Sequence, residues 1–553
     1  MRKTNFAGQT CGALLASLTL AGPGGCGPST SEADGELGTE VAYQRGGRDP
    51  GGDPGRDPGG DLTTLAPLST VPAPRPNGGD IVDAAAAVRL GKAFFWDQQT
   101  GSDGRTACAS CHFRGGADNR LRNAVNPGPD GAFEAVAGPG MIASLGMLSS
   151  DDRFGSQGVM RRTFQGIDPD PTHAADLCVD APSTPFWNAR QVTGRNTPSV
   201  IGAVFYRELF WDGRASHRFN GLDPFGMTGN ASGSLTDLDN GGPASQAVGP
   251  ANSSVEMACS GRKFNGPDSL ATKLLARQPL QFQLVDPGDG VLGALSNAPG
   301  QGLACGGMPC IYAQLIKEAF GSGLAAAATS QFSRIWGQAI QAYEWTLVPD
   351  QTPLDRYLAG NAAALTASQQ RGLNTFTGKG ECTKCHGGPE LSDATVRFGK
   401  LAGLVNEDGG DQGFHNNGVR PTNEDLGRGG AGPNGVPFSI SGSVKDRGAV
   451  KTPQLRNVKL TPPYFHNGGM PTLAAVVDFY DRGGDFTDAS KASRIVKLNL
   501  SAVDRAALVD FLADGLTDCR VEMERAPFDH PSLAVVDGPM LPAVGAGGLG
   551  PCP

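Results

Sequence analysis

The chain has 553 residues, enough for two or three domains, and is mildly acidic, with 46 basic and 55 acidic side chains and a net charge of −9. It contains no basic run, which argues against a nucleic acid as a partner. Its 81 glycines and 41 prolines predict a loop-rich protein built around small helical cores.

The start of the chain predicts an export signal. A basic N-terminus precedes an apolar stretch, residues 13–21, that is too short to cross a bilayer. Cys26 follows and could hold a lipid that attaches the protein to a membrane, although residues 23–25 make a poor lipoprotein signal. We therefore expect a signal peptide over residues 1–26 and a periplasmic or envelope-associated protein.

The next segments predict a linker, a helix and loops. Residues 27–79 are rich in Pro, Gly and Asp and lack core-forming side chains, so a disordered linker is predicted. Residues 80–95 predict a helix with a polar cap. Residues 113–190 and 217–245 have few helical signals and are interpreted as insertions that could shape access to a site at residues 108–112 (CASCH).

The second half contains three further predicted helices. Residues 331–347 have apolar side chains at helical spacing. Thr366 and Gln369 form a capping-box pattern at the start of a helix over residues 366–378, and residues 501–515 predict the last helix. The helices that precede residues 108–112 (CASCH) and 382–386 (CTKCH), with the loops and the closing helix that follow, have the order that a small cytochrome c domain requires.

Two Cys-x-x-Cys-His pentads supply the chemistry. Their functional residues are Cys108, Cys111, His112, Cys382, Cys385 and His386. Each pentad offers two thiols for thioether bonds to a porphyrin and one histidine as an axial iron ligand. A zinc ribbon needs pairs about 15–20 residues apart and a thioredoxin-like pair needs a βαβ context, and neither is found. The pentads predict two covalently bound haem c groups.

The remaining cysteines favour an oxidising compartment. Outside the leader and the pentads their number is even, which suits disulfides. They are Cys178, Cys259, Cys305, Cys310, Cys519 and Cys552. Many pairings are possible, and the sequence does not choose among them.

From about residue 80 to residue 515 the chain resembles bacterial di-haem cytochrome c peroxidases and the MauG group of di-haem enzymes. The matching motifs are residues 90–92 (LGK), 195–199 (RNTPS), 210–215 (FWDGRA), 256–257 (EM), 414–418 (FHNNG), 455–458 (LRNV) and 463–468 (PYFHNG). The resemblance implies a mainly α fold with two cytochrome c-like haem domains, long loop insertions and haems near the domain interface. We place these domains at residues 80–345 and 346–520, followed by a tail, residues 521–553.

In this family hydrogen peroxide binds at the first haem, here the one on His112. Residues 113–145 contain no histidine that could cap this haem. The resemblance therefore implies a five-coordinate haem that accepts peroxide without prior reduction. His173 or His217, in the insertions, could still cap it.

Cleavage of peroxide needs a group that removes a proton from one oxygen and returns it to the other. By resemblance this acid/base is Glu256, with Gln246 as a polar residue of the same pocket. Gln246, Pro250 and Glu256 have the spacing of the MauG distal pocket. The alternative is that Glu256 is a surface residue beside Met257.

The second haem, on His386, takes its sixth ligand by resemblance from Tyr480. Ordinary peroxidases of the family have methionine there, and MauG-type enzymes have tyrosine. A thioether raises the reduction potential, whereas a phenolate is a hard anionic donor that favours oxidised iron. Alternatively, Tyr480 is a core aromatic residue, or Met470 is the ligand.

The resemblance also assigns residues between the haems. Trp211 matches a tryptophan that can relay an electron, although it could equally be a packed core residue. A calcium ion is implied, with Asn196 as side-chain ligand and the carbonyls of Thr461 and Pro463 as further ligands. Oxygen ligands of this kind suit a hard cation.

The predicted function is that of a MauG-like peroxidase, which stores oxidising equivalents over both haems and then oxidises a protein substrate or a small electron donor. One alternative is an ordinary cytochrome c peroxidase that takes electrons from a small cytochrome or cupredoxin. Another is a non-enzymatic di-haem electron carrier. Tyr480 counts against the first alternative and Glu256 against the second.

Overall fold

A computed structural model describes residues 62–227 and 233–552. Its α-helices are α1 (Ala84–Trp96), α2 (Gly242–Ala247), α3 (Leu270–Leu275), α4 (Tyr312–Ala326), α5 (Phe332–Glu344), α6 (Pro353–Leu358), α7 (Ala367–Thr377), α8 (Val396–Ala402), α9 (Leu473–Arg482), α10 (Ala502–Asp510) and α11 (Cys519–Glu522). The predicted mainly α class is confirmed, and the division into two haem domains stays a prediction.

The strands are short and pair antiparallel in twos. The pairs are β1 (Val125–Asn126) with β2 (Arg153–Phe154), β3 (Gln157–Met160) with β6 (Arg190–Val192), β4 (Arg162–Gly166) with β5 (Leu177–Asp180), β7 (Ala304–Cys305) with β8 (Met308–Pro309), β9 (Phe414–His415) with β10 (Val450–Lys451), and β11 (Leu533–Ala534) with β12 (Met540–Leu541). Strands β1–β6 all lie in the first insertion or directly after it, so that segment is held by strand pairs rather than by helices.

A first hydrophobic core forms where α1 packs against α4 and α5. Helix α1 begins at Ala84, later than predicted, because the Asp83 carboxylate accepts the Ala86 N–H and caps the helix there. Asp80, the predicted start, instead accepts a hydrogen bond from Arg334 of α5 at 2.6 Å. The predicted helix over residues 331–347 is observed as α5.

A second core forms among α6, α7, α9 and α10. The predicted capping box at α7 is present, because Thr366 Oγ1 accepts the Gln369 N–H and the Gln369 side chain accepts the Thr366 N–H. The last predicted helix is observed as α10, which continues as one π-helical turn, Phe511–Gly515. The first pentad begins with a 3₁₀ turn, Cys108–Ser110, and Cys108 packs against the first core. The second pentad begins with a 3₁₀ turn, Cys382–Lys384, and Cys382 packs against the second core.

Residues 62–79 make contacts that a solvated linker would not make. Leu68 is buried, and its N–H donates to the Asp355 carboxylate at 2.9 Å. The Arg75 guanidinium lies over the Trp345 ring at 5.2 Å. The predicted linker is therefore too long at its C-terminal end. The signal peptide, the possible lipid site at Cys26 and residues 27–61 lie outside the described residues.

The C-terminal tail returns to the first core. Leu533 and Val535 are buried in that core, and the His530 ring stacks on Trp96 of α1 with centroids 4.6 Å apart. The six remaining cysteines form three disulfides, namely Cys178–Cys259, Cys305–Cys310 and Cys519–Cys552. The four pentad cysteines are free. None of the described helices is long and apolar enough to cross a membrane.

A buried charge cluster fixes the tail to α1. Lys92 Nζ lies 2.8 Å from Asp289 and 3.4 Å from Asp529 of the tail, and all three side chains are fully buried. Lys92→Met would leave two uncompensated carboxylates, so we expect the free energy of unfolding to fall by about 3–5 kcal/mol. Guanidinium unfolding of the haem-loaded protein would measure it, with exposed Lys317→Met as control. Equal midpoints for the two variants would contradict the prediction.

Candidate active site

A cavity of about 510 Å³ lies beside the first pentad. Cys108, Cys111 and His112 form part of its wall. The same wall contains the predicted residues Glu256, Gln246, Trp211 and Asn196. The structure therefore brings the three predicted catalytic residues and the first pentad to one cavity, which we call the first cavity.

His112 is held in an orientation that suits metal binding. Its Nδ1 lies 2.7 Å from the Gly116 carbonyl oxygen, so Nδ1–H donates and Nε2 stays available as a ligand. Burial lowers the pKa of His112, which favours the neutral imidazole that binds iron. The free thiols of Cys108 and Cys111 flank the same cavity. This donor set fits one covalently attached haem.

Glu256 is half-buried in the wall of the first cavity. Its backbone N–H donates to Ser253 Oγ at 3.3 Å, which fixes the turn that presents the side chain. Burial raises the pKa of the Glu256 carboxyl, while Ser253 and Arg214 act in the opposite direction. A buried carboxyl can accept a proton from a bound substrate as a base and return it as an acid.

The sequence analysis missed a second carboxyl in this cavity, that of Glu344. It projects from the last residue of α5 and is 1% exposed. Burial raises the pKa of Glu344 to about 8, and its Oε2 has no hydrogen-bond partner. The sequence gave no sign that Glu344 faces a cavity, because it is the last residue of α5, a helix whose side chains are predicted to pack in the core.

Neither of the two candidate capping histidines lines the first cavity. His173 is exposed and bonds Asp168 at 3.0 Å. His217 accepts a hydrogen bond from Arg207 at 3.3 Å. Among the described residues that line this cavity, His112 is the only histidine.

A second cavity of about 200 Å³ lies beside the second pentad. Cys382, Cys385 and His386 line it together with Tyr480. His386 Nδ1 lies 3.0 Å from the Pro453 carbonyl oxygen, so its Nε2 is also available as a ligand. The donor set of the first cavity is thus repeated, with the phenol of Tyr480 and the imidazoles of His415 and His466 added.

The structure places Tyr480, and not Met470, in the second cavity with His386. Met470 is 4% exposed and packs with Val419 and Phe479 outside the cavity wall. Burial raises the pKa of the Tyr480 hydroxyl, and a hydrogen bond with the Asn417 side chain opposes this shift. Coordination to a Lewis acid such as a metal ion would favour loss of the phenol proton to solvent. Asn417 was not singled out from the sequence.

Trp211 lines both cavities. Its Nε1–H donates to the Asn196 carbonyl oxygen at 2.8 Å, and its ring lies edge-on to His466 with centroids 6.3 Å apart. These two contacts fix the plane of the indole. A single aromatic side chain therefore connects the two candidate haem sites.

Two of the three predicted calcium ligands, Asn196 and Pro463, are in contact, and Asn196 also accepts the hydrogen bond from Trp211. Asn196 Nδ2 lies 2.5 Å from the Pro463 carbonyl oxygen. Because the amide nitrogen and oxygen of Asn have nearly the same shape, a 180° turn of this amide would place two oxygens side by side, as a cation requires. Thr461 Oγ1 donates to the Val458 carbonyl at 3.3 Å. The structure thus brings together Asn196 and Pro463.

Lys451 is a further cavity residue that the sequence analysis did not single out. It is 3% exposed, lines the second cavity, and its Nζ lies 3.3 Å from the centroid of the Tyr206 ring. Burial lowers the pKa of Lys451 to about 7. No carboxylate of the described residues forms an ion pair with Lys451, so an acidic group of a bound cofactor would favour its protonated form by pairing with it.

This chain is similar to several known proteins that are named as peroxidases or as MauG. Residues 85–281 match the family described as di-haem cytochrome c peroxidase. The cytochrome-c peroxidase IdrP1 of a Pseudomonas species is 26% identical over 464 residues, 81% of this chain and 84% of the relative. The methylamine utilization protein MauG of Methylorubrum extorquens is 34% identical over 201 residues, 36% of this chain and 48% of the relative. The solved diheme peroxidase BthA of Burkholderia thailandensis is 20% identical with a TM-score of 0.42, and the match covers 87% of this chain and 100% of BthA.

Proposed function

Because the chain belongs to the di-haem cytochrome c peroxidase family, whose members are oxidoreductases that act on peroxide, we propose that it is a MauG-like peroxidase. In this proposal hydrogen peroxide reacts in the first cavity. The oxidising equivalents are held over both haem sites until a protein or a small electron donor supplies electrons.

The family implies two haem c groups, and the residues of both cavities fit them. Each cavity offers two free thiols and one imidazole whose second nitrogen is bound to a backbone carbonyl. When bound, the haem supplies the iron that coordinates peroxide and exchanges electrons with it. Lys451 is positioned to neutralise an acidic substituent of the group in the second cavity.

Glu256 is the residue that we assign to proton movement. Its carboxylate would accept a proton from one peroxide oxygen, and the resulting acid would return that proton to the other oxygen, which leaves as water. Gln246 lines the same cavity and can donate a hydrogen bond to peroxide. The complete reaction takes two electrons and two protons and gives two waters.

The observation that supports the MauG-like assignment is that Tyr480 lines the second cavity together with the second pentad. A phenolate ligand favours oxidised iron, whereas a thioether would favour reduced iron. The described wall of the first cavity contains no capping histidine. This observation and the presence of Tyr480 in the second cavity favour an enzyme that reacts with peroxide while fully oxidised. An ordinary peroxidase of this family would instead need prior reduction.

Calcium and location are parts of the same proposal. We assign Asn196, Thr461 and Pro463 to a calcium ion that would stabilise the segment between the cavities. Three disulfides suit an oxidising compartment such as the periplasm. A lipid at Cys26 would attach such an exported protein to a membrane.

Electron paramagnetic resonance and optical spectra of the fully oxidised protein, taken before and after one equivalent of hydrogen peroxide, test this function. We expect one high-spin and one low-spin haem, and spectral changes at both haems upon addition of peroxide without any reductant. Two low-spin haems that respond to peroxide only after half-reduction would instead indicate an ordinary peroxidase. No response in either state would indicate an electron carrier.

Trp211→Phe should slow electron transfer between the haems without slowing the reaction with peroxide. We expect the spectral change of the second haem to be at least about tenfold slower, which corresponds to about 1.4 kcal/mol of activation free energy. Stopped-flow spectroscopy resolves the two steps. Trp336→Phe is a matched control, because Trp336 is also buried and donates to a carbonyl, of Ala247, but lines neither cavity. Equal slowing in both variants would argue against a relay.

A further inference from the structure

The C-terminal tail reaches the segment that follows the first pentad. Its turn over residues 535–539 joins β11 to β12, and Val535 is buried in the first core. The Val535 N–H donates to the Pro539 carbonyl oxygen at 3.1 Å, which closes the turn. The next carbonyl oxygen, that of Val536, accepts a hydrogen bond from Arg120 Nη1 at 3.0 Å. The tail thus contacts a side chain that lies 416 positions earlier in the chain.

Arg120 is a buried cation beside the first pentad. Its side chain is 3% exposed. Its Nε and Nη2 donate to the Asp118 carboxylate at 3.0 and 2.5 Å, and Nη2 also donates to the Gln157 carbonyl oxygen at 3.2 Å. The same Nη2 lies 3.8 Å from Cys111 Sγ. The guanidinium is therefore held between the tail and a sulfur that we assign to haem attachment.

The charges of Arg120 and its partner act on the residues of the first pentad. Burial raises the pKa of the Cys111 thiol, and the charge of Arg120 opposes this shift. Burial lowers the pKa of His112, and the Gly116 carbonyl and the Asp118 carboxylate oppose that shift. Ferric haem carries one positive charge more than ferrous haem, so a nearby cation favours the reduced form and a nearby anion favours the oxidised form. Arg120 supplies a cation and also neutralises Asp118, and both effects favour reduced iron.

We propose that Arg120, held in place by the C-terminal tail, raises the reduction potential of the haem at the first pentad. This inference rests on the haem c that the proposed function assigns to Cys108 and Cys111, and not on the reaction with peroxide. The phenolate of Tyr480 would lower the potential of the second haem, so the two sites differ in opposite directions. Electrons that arrive at the second haem are thereby drawn toward the first cavity.

A glycine of the tail allows the close contact with Arg120. A Cβ at Gly538 would lie 3.0 Å from Arg120 Cδ and 2.8 Å from Val535 Cγ1. Gly538→Ala should therefore displace the guanidinium or the turn without changing any charge. Gly547 lies in the same tail, and a Cβ there would meet nothing within 4 Å. Gly547→Ala is thus a matched control for the effect of the tail.

A potentiometric titration of the haem-loaded full chain, followed by electron paramagnetic resonance, tests the proposal. Arg120→Gln should lower one of the two potentials by at least a tenfold change in the ratio of reduced to oxidised haem, which is about 59 mV for one electron. Arg120→Lys keeps the charge and should stay closer to the wild type. Arg262→Gln is the matched control, because Arg262 is an equally buried partner of Asp176 and lines neither cavity. It should change neither potential.

Unchanged potentials in Arg120→Gln, or an equal fall in Arg262→Gln, would overturn the proposal. Gly538→Ala should lower the same potential as Arg120→Gln, and Gly547→Ala should not. Equal potentials in these two glycine variants would overturn the role of the tail. Should Arg120→Gln lose its haem, the comparison of the two glycine variants decides. A chain that shows the expected shifts but does not react with peroxide would support this inference and contradict the proposed function.

Discussion

Glu256→Gln is expected to lower the second-order rate constant for the reaction of the oxidised protein with hydrogen peroxide by about 10²–10⁴-fold, the usual contribution of a positioned acid/base. The amide keeps the size of the side chain but can neither accept the peroxide proton nor return it. Stopped-flow measurement of the haem absorbance at varied peroxide concentration gives this constant directly.

Glu344→Gln is the matched control for this prediction. It makes the same chemical change to a second carboxyl in the same cavity, one that the proposed mechanism does not use. Its rate constant should stay close to that of the wild type. A small effect of Glu256→Gln combined with a large effect of Glu344→Gln would move the acid/base role to Glu344.

The pH dependence of the same rate constant provides a further check. Only the carboxylate form of Glu256 can accept the peroxide proton. Because burial raises the pKa of this carboxyl, the rate constant of the wild type should increase with pH through a pKa above that of an ordinary glutamate. This increase should be absent from Glu256→Gln and present in Glu344→Gln.

Local patterns predicted four helices that the structure contains, but they gave no prediction for α4 or α9, and the misplaced start of α1 has a long-range cause. The capping box at Thr366 was found because it depends on residues only three positions apart. The start of α1 was misplaced because Asp80 and Asp83 are equally good caps in the sequence, and the distant Arg334 engages Asp80. All three predicted catalytic residues lie at the first cavity. They could be predicted together because the motifs that contain them were recognised as a set.

Long-range contacts account for what the sequence did not predict. The Cys178–Cys259 disulfide, the return of the tail to α1 and the hydrogen bond from the Leu68 N–H to the Asp355 carboxylate join segments far apart in the chain. Glu344 and Lys451 gave no signal because their importance depends on which cavity they face. A buried charge in an otherwise apolar helix or strand is therefore a useful marker that only the folded structure can locate.

Tyr480→Met is expected to convert the second haem from a site that favours oxidised iron to one that favours reduced iron. Replacing a phenolate by a thioether should raise its reduction potential by a sizeable part of the ~0.8 V range that axial ligands span. A spectroelectrochemical titration would measure the shift. After addition of peroxide, the oxidised variant should also lack the spectral change at the second haem. The first cavity is unaltered by this substitution and keeps Glu256.

Met470→Leu distinguishes the two candidate ligands. Met470 packs against Phe479 outside the second cavity, so its replacement should leave both the potential and the spectrum of the second haem unchanged. If Met470 were the ligand, this variant would lose the low-spin spectrum and Tyr480→Met would have little effect. Restoration of peroxide reactivity by half-reduction of Tyr480→Met would further show that one axial residue separates the MauG-like behaviour from that of an ordinary peroxidase. The residue that supplies the sixth ligand of the second haem, rather than the fold, would then determine whether the fully oxidised or the half-reduced enzyme reacts with peroxide.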